Sequence, residues 1–270
     1  MHMTIKPNDP LIVEADGRVL WLQLNRPEKR NSLTPDMLMC LHRTLAAAAR
    51  EDRFRCVVIR GAGDRAFSAG YDIASIPTRP SEDLTRLLSQ QSPFEQAVAG
   101  IVHYPYPVIA MLNGYAFGGG CDLAVACDLR IGADDIQMGM VPAKLGMAYF
   151  PDGLQRFIQI IGFAKTREMF FTARRYKGAA LKEMGLVDYL VDRADLKAFT
   201  RNIADEIVAN APLALKGTKR IINLLAKSAG LPAADLETAR TLVEKTMVSA
   251  DLKEAQAAFQ QKRKPVFKGR

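Results

Sequence analysis

Histidine, cysteine and tryptophan are scarce in this chain, with three, four and one among 270 residues. Little is left from which to build a metal centre. Cys121 and Cys127 lack the short paired spacing of a zinc site and have no histidine beside them, so no metal is expected. The cysteines (Cys40, Cys56, Cys121, Cys127) sit mostly in apolar runs and read as buried free thiols in a reducing, cytoplasmic compartment. No apolar run reaches the roughly 18 residues of a membrane span. The stretch from Met1 to Pro10 has no apolar segment, so no signal peptide is expected. The motifs G-x-x-x-x-G-K-[ST] and G-x-S-x-G are absent, which leaves a P-loop and a hydrolase elbow unsupported. There is no low-complexity segment and no long-period repeat.

What is present is an ordinary globular composition, 49% hydrophobic and 24% charged, long enough to bury a sizeable core. The net charge is +8, from 37 Lys and Arg against 29 Asp and Glu. Lys262, Arg263, Lys264, Lys268 and Arg270 concentrate part of it at the end with no acid among them. The plain reading is a solvated tail; the sharper ones are an anionic small ligand or nucleic acid.

Two alternating runs, Leu11 to Ala15 and Arg18 to Leu24, flank Asp16-Gly17, a type I′ hairpin signal. Thr34 caps a helix opened by Pro35, with Leu38, Leu41, Leu45 and Ala48 as its apolar face. Strands are expected at Cys56 to Ile59, Val108 to Leu112, Leu129 to Gly132 and Leu186 to Val191. Helices are expected from Ser81 to Ile101, from Gly120 to Ala126, and from an Asp152 cap through Ile160, ended by Gly162. From Asp195 onward the pattern is helical, broken at Pro212, Gly230-Leu231-Pro232 and Pro265. Strand–strand–helix units followed by a helical quarter imply an α/β fold with short sheets and a helical appendage.

Gly61-Ala62-Gly63-Asp64-Arg65-Ala66 matches a dinucleotide fingerprint, but Phe67-Ser68-Ala69-Gly70 after it does not read as the helix that fingerprint requires. The informative features are two glycine-punctuated turns, Phe67 to Asp72 and Asn113 to Asp122, each following an apolar run that reads as a buried strand. Glycine admits positive φ and close backbone approach. Two such turns at neighbouring strand ends can aim two N–H groups at one oxygen, the geometry of an oxyanion hole. The run Gly118-Gly119-Gly120 serves either close helix–strand packing or backbone access to a substrate oxygen at a helix N-terminus. Asp122 reads either as a dipole-complementing carboxylate or as a general acid/base beside the reacting carbon.

These turns, together with Asn25-Arg26-Pro27, Asn31-Ser32-Leu33 and the stretch from Phe259 through Lys262-Arg263-Lys264-Pro265-Val266-Phe267, resemble the enoyl-CoA hydratase/isomerase, or crotonase, superfamily from about Ile12 to Lys268. The resemblance implies a spiral of repeated ββα units over residues 1–194 and a helical region over 195–270 that builds a trimer, or a dimer of trimers. It implies an acyl-CoA thioester as substrate, with no cofactor beyond the coenzyme A that the substrate carries. The N–H groups of Tyr71 and Gly119 match the oxyanion-hole positions, with Gly70 and Gly118 preceding them. Lys29, Arg30 and Ser32 match the loop along the CoA nucleotide. Ala69, Asp72 and Ile73 flank the pantetheine. Phe267 and Lys268 match a segment that closes over the adenine end.

The chain departs from the family pattern at both hydratase glutamates. Asp122 stands at the first, one methylene shorter, which withdraws its carboxylate by about 1.5 Å; a shift of about 1 Å can cost on the order of 100-fold in rate. Pro142, which cannot titrate, matches the second, with Asp152 as a possible substitute. The stretch Lys144 to Tyr149 resembles methylmalonyl-CoA decarboxylases, with Tyr149 at their tyrosine, whereas Tyr71 stands where they carry a histidine. Decarboxylation of an α-carboxyacyl thioester yields the enolate without a base. It then needs a proton from Tyr71, Tyr149 or a water held by Asp122. The plain reading of both tyrosines is packing with a wet hydroxyl, and that of Lys144 is a surface charge. The expectation is therefore a lyase, hydratase or decarboxylase-like, with non-standard residues. The rival is a non-catalytic relative that binds RNA or serves structurally, disfavoured because no basic stripe is interleaved with aromatics.

Overall fold

The computed structural model describes residues 9–267 apart from 78, 80, 90 and 228–232. The opening alternation folds as a hairpin: β1 (Leu11–Asp16) pairs antiparallel with β2 (Val19–Leu24), and Asp16 lies opposite Val19. The two-residue loop is therefore Gly17-Arg18, with positive φ at Gly17 alone, +60°. That is a type II′ pattern one residue later than the expected type I′ turn, which would need positive φ at both positions. Thr34 Oγ1 accepts from the Met37 N–H at 3.3 Å and opens α1 (Pro35–Glu51). The four expected face residues of α1 are all buried.

Next come β3 (Cys56–Gly61) and the short β4 (Ala66–Ser68). The single helix expected from Ser81 to Ile101 is instead two, α2 (Glu82–Leu87) and α3 (Pro93–Val102). Pro93 has no N–H for a continuing helix but suits a first turn, and Ser92 Oγ caps it by accepting from the Glu95 N–H at 3.2 Å. Two more strand pairs follow: β5 (Val108–Leu112) with β6 (Tyr115–Phe117), then, after α4 (Gly119–Val125), β7 (Leu129–Ala133) with β8 (Gln137–Gly139).

Helix α5 (Pro151–Thr172) takes its N-cap from Phe150, so Asp152 lies in the first turn and is not the cap. Gly162, at φ +69° and ψ 171°, kinks this helix where a stop was expected, and the chain resumes helically beyond it. The Lys144 ammonium donates to the Ala173 carbonyl at 2.6 Å and so caps the far end of α5. After β9 (Tyr176–Lys177) and α6 (Gly178–Glu183), β10 is only Tyr189–Val191, because Leu186 and Val187 spend their amides on the Leu181 carbonyl. The remaining helices are α7 (Leu196–Ala209), α8 (Pro212–Lys227), α9 (Ala233–Met247) and α10 (Ala250–Gln260). The expected break at Pro212 separates α7 from α8, whereas Gly230-Leu231-Pro232 lies outside the described residues.

The long strands form one sheet in the order β1-β2-β3-β5-β7-β10, parallel except for β1. The short strands form a second, β4-β6-β8-β9, with only β9 antiparallel. Each of β3, β5 and β7 thus hands the chain to a short partner in the other sheet before a helix, which is the expected repeated ββα unit. Strand β5 is buried along its whole length and β3 nearly so, as parallel strands covered on both faces require. Helix α7 packs on this sheet through Leu196, Thr200 and Ala204. Met247 of α9 and Leu252 of α10 join Ile76 and Leu84 in a second apolar cluster bordered by Tyr71 and Phe150. No helix among the described residues is long and apolar enough to cross a membrane.

Candidate active site

One wall of the site is backbone. Gly70 holds φ +103°, and a methyl group there would sit 2.7 Å from the Phe117 carbonyl oxygen. Gly118, the N-cap of α4, holds φ +51° and ψ −125°. Leu33 donates to the Gly70 carbonyl, and its own carbonyl accepts from the Asp72 N–H. In a parallel bridge this turns the intervening Tyr71 N–H away from Leu33. It faces Gly119, where a Cβ would lie 3.3 Å from the Tyr71 nitrogen. The Gly119 N–H opens α4 and has no partner within the helix. The Tyr71 and Gly119 amides are thus near neighbours in the pocket lining.

The loops beneath are laced by two buried amide side chains. Asn31 Nδ2 donates to the Ala62 and Ala66 carbonyls at 3.0 and 2.8 Å. Asn113 accepts from the Gly61 N–H at 2.9 Å and donates to the Gly63 carbonyl at 2.6 Å. The fingerprint-like glycines are thus tied into a loop leading to β4, with no helix after them.

The other wall is built from side chains. Asp122, 1% exposed in the first turn of α4, takes the Arg156 Nε on Oδ1 and Nη2 on Oδ2, both at 2.9 Å. The Tyr149 hydroxyl donates to the same Oδ2 at 2.7 Å. Gly153 makes this approach possible, since a methyl there would lie 2.3 Å from the Tyr149 ring and 3.0 Å from Asp122 Oδ2. Burial, reinforced by the Asp122 charge, pushes the Tyr149 phenol well above its ordinary range. Burial works against the Arg156 charge, but the Asp122 carboxylate more than offsets it and holds the guanidinium protonated. The same Arg156 Nη2 lies 3.7 Å from Glu95 Oε1 on α3.

Between the walls lies a pocket of about 810 Å³ including its open mouth. Its lining includes Ala69, Gly70, Tyr71, Gly118 and Gly119 from the two glycine turns, Val141, Pro142, Leu145, Met147 and Tyr149 from the stretch before α5, and Ile73, Ile76, Phe94 and Met247, which make it largely apolar. Among the described residues Glu95 is the only carboxyl-bearing one in that lining, whereas Asp122 sits behind Tyr149 and outside it. Burial raises the Tyr71 phenol, with Asp72 adding to the effect.

The structure thus brings together Tyr71, Gly119 and Tyr149 with Ala69, Gly70, Ile73, Gly118 and Pro142 around one cavity. Lys29 and Arg30 are exposed on the loop before Asn31, with Arg30 at φ +54°. Ser32 and Asp72 are held by Arg26, whose Nη1 donates to Ser32 Oγ at 3.0 Å and pairs with Asp72 Oδ2 at 3.2 Å. Asp72 also accepts from the Ala74 N–H. Phe267 is 43% exposed and outside the pocket lining, and Lys268 lies outside the described residues.

Sequence reasoning missed Arg156 and Glu95. Ser92-Pro93-Phe94-Glu95 has the spacing of a capping box, in which the glutamate would return to the Ser92 N–H. Here that N–H already donates to the Ser89 carbonyl at 3.0 Å, and Glu95 turns to the pocket instead. No local signal marks Arg156, which meets Asp122 only through the packing of α5 on α4.

Two sheets, one of long and one of short strands, built from repeated ββα units define a crotonase-type fold. The family model described as enoyl-CoA hydratase/isomerase matches residues 14–270, and the chain belongs to that family. It is 35% identical over 251 residues to YngF of Bacillus subtilis, which carries the name of an enoyl-CoA hydratase/isomerase; the match spans 92% of this chain and 94% of that one. It is 30% identical over 267 residues to the short-chain-enoyl-CoA hydratase of Clostridium acetobutylicum, covering 94% and 95% of the two chains. A solved methylmalonyl-CoA decarboxylase in complex with 2-nitronate-propionyl-CoA superposes with a TM-score of 0.90 at 28% identity, covering 97% of this chain and 99% of that one.

Proposed function

We propose that this protein decarboxylates a short α-carboxyacyl-CoA through a thioester enolate held by the Tyr71 and Gly119 amides. The observation that carries the reading is the state of the two hydratase positions. Asp122 is committed on both oxygens to Arg156 and Tyr149, and Pro142 has nothing to titrate. A reaction that must activate water there lacks its base, whereas loss of CO₂ forms the enolate with none. The C–C electron pair moves to the thioester oxygen, where preorganised amides are worth most in a water-poor cavity. The apolar lining supports the same chemistry by weakening solvation of the departing carboxylate. Asp122 serves as the charge that orients the Tyr149 hydroxyl at the pocket wall. The exposed Lys29 and Arg30 are suited to the phosphates of coenzyme A, and the acyl-CoA brings the only cofactor-like group required.

Association into trimers, or pairs of trimers, is part of the proposal. Helix α8 presents Leu213, Ile221, Ile222, Leu224 and Leu225 to solvent, all more than half exposed, an apolar face that a second copy would cover. Residues 195–270 would then supply the assembly region and residues 1–194 the acyl-CoA core.

Hydration is the second reading, favoured by relatives that carry hydratase names. Mass spectrometry of methylmalonyl-CoA and crotonyl-CoA incubated in deuterated water separates the two. CO₂ loss with one α-deuterium gained supports decarboxylation, and gain of one water on crotonyl-CoA replaces it with hydration. Neither product, with salt-dependent RNA binding and no stabilisation by coenzyme A, would favour the non-catalytic rival.

A further inference from the structure

We propose that Glu95 carries the proton to and from the substrate α-carbon, as the working acid of a pocket whose two family carboxylate positions are unavailable. The inference rests on the acyl-CoA enolate reading above and adds the group that quenches the enolate.

Three observations carry it. Glu95 is the one carboxyl in the cavity lining among the described residues. Its capping duty is vacant, since the Ser92 N–H is already satisfied by Ser89, so nothing local requires a glutamate at this position to face inward. The neighbouring Phe94 ring packs on the backbone wall, 3.3 Å from where a Cβ of Gly119 would stand, which sets the start of α3 beside the oxyanion site.

The surroundings suit an acid. Arg156 gives its short contacts to Asp122 and approaches Glu95 only at 3.7 Å, beyond hydrogen-bond length. Asp122 from α4 and Asp152 from α5 add negative charge on the same side. Burial first, and these two acids, raise the Glu95 carboxyl above its ordinary value, while Arg156 opposes them. A protonated Glu95 also avoids repelling a substrate carboxylate. In the step itself the α-carbon lone pair of the enolate takes the Glu95 proton, the thioester carbonyl re-forms, and the carboxylate left behind regains a proton from water.

Because this proton transfer is common to decarboxylation and hydration, it can be tested without either. The probe is propionyl-CoA in deuterated water, with α-hydrogen exchange followed by mass spectrometry and propionyl-CoA affinity measured alongside. The expected result is exchange by the wild type that falls at least 100-fold in Glu95→Gln, with affinity within about threefold. Glu95→Asp should restore part of the rate with a displaced pH profile, which a merely structural glutamate would not produce. Exchange by Glu95→Gln at the wild-type rate, or no exchange by a wild type that binds propionyl-CoA, overturns the assignment. Failure of methylmalonyl-CoA decarboxylation with exchange intact would remove the proposed reaction and leave Glu95 in place.

Discussion

The two walls of the pocket are made differently. The backbone wall, Gly70-Tyr71 and Gly118-Gly119, consists of main-chain groups whose direction is set by left-handed glycines and by a strand bridge to Leu33. The side-chain wall, Tyr149, Arg156, Asp122 and Glu95, gathers charged and polar ends from three helices and the loop before α5. A main-chain donor has no side-chain rotamers to order and no charge to desolvate, so the cost of this wall lies in fixing its glycine backbone. The side-chain wall buries an ion pair that depends on every partner being present. In the proposed reaction the first wall stabilises the charge that develops and the second holds and tunes a proton.

The comparison predicts distinct failures. Removing Asp122 should be the most damaging to stability, because buried Arg156 loses both of its short carboxylate contacts and keeps only Glu95 at 3.7 Å. Asp122→Ala is expected to lose about 3–5 kcal/mol in urea unfolding; an unchanged midpoint would mean that the pair contributes little. Gly70→Ala strikes the other wall. At φ +103°, with Phe117 in the way, the turn must shift and carry the Tyr71 N–H with it. Turnover should fall about 100- to 1000-fold, the usual consequence of losing one oxyanion donor, with a smaller loss of stability.

A third test uses pH. The Glu95 carboxyl is raised in the folded state, so the native protein holds that proton more tightly than the unfolded chain. Its stabilising contribution is complete below the ordinary glutamate value of about 4.3 and is lost as pH rises through the higher folded value. The difference in unfolding free energy between wild type and Glu95→Gln should therefore drift against the wild type across that window and then level off. A flat difference would show that the carboxyl is not perturbed. The smallest effect is expected away from both walls. Thr34→Ala removes the cap of α1 and should cost about 1 kcal/mol with turnover unchanged.

The walls also differ in how far they could be read in advance. Glycine at Gly70 and Gly118 answers a local backbone demand, so the backbone wall was visible as two short motifs. The same holds for the Thr34-Pro35 cap and the apolar strands. Asp122 is marked by its place at the end of the second glycine turn, and Tyr149 by the resemblance of Lys144 to Tyr149 to methylmalonyl-CoA decarboxylases. Arg156 and Glu95 are not marked, because their roles come from packing among α3, α4 and α5. Glu95 also matches a capping pattern that the Ser89 carbonyl makes redundant. Local errors have similar causes. Pro93 divides what the apolar residues alone would continue as one helix, and the pairing of Asp16 with Val19 moves the hairpin turn by one residue.

On the proposed chemistry one thioester oxygen is shared by the Tyr71 and Gly119 amides. The most direct test is a structure of this protein with an enolate-mimicking nitronate of propionyl-CoA bound. The thioester oxygen should lie at about 2.7–3.1 Å from both nitrogens, with the α-carbon facing Glu95 and Tyr149. An oxygen bound elsewhere in the pocket, with either amide unengaged, would contradict it.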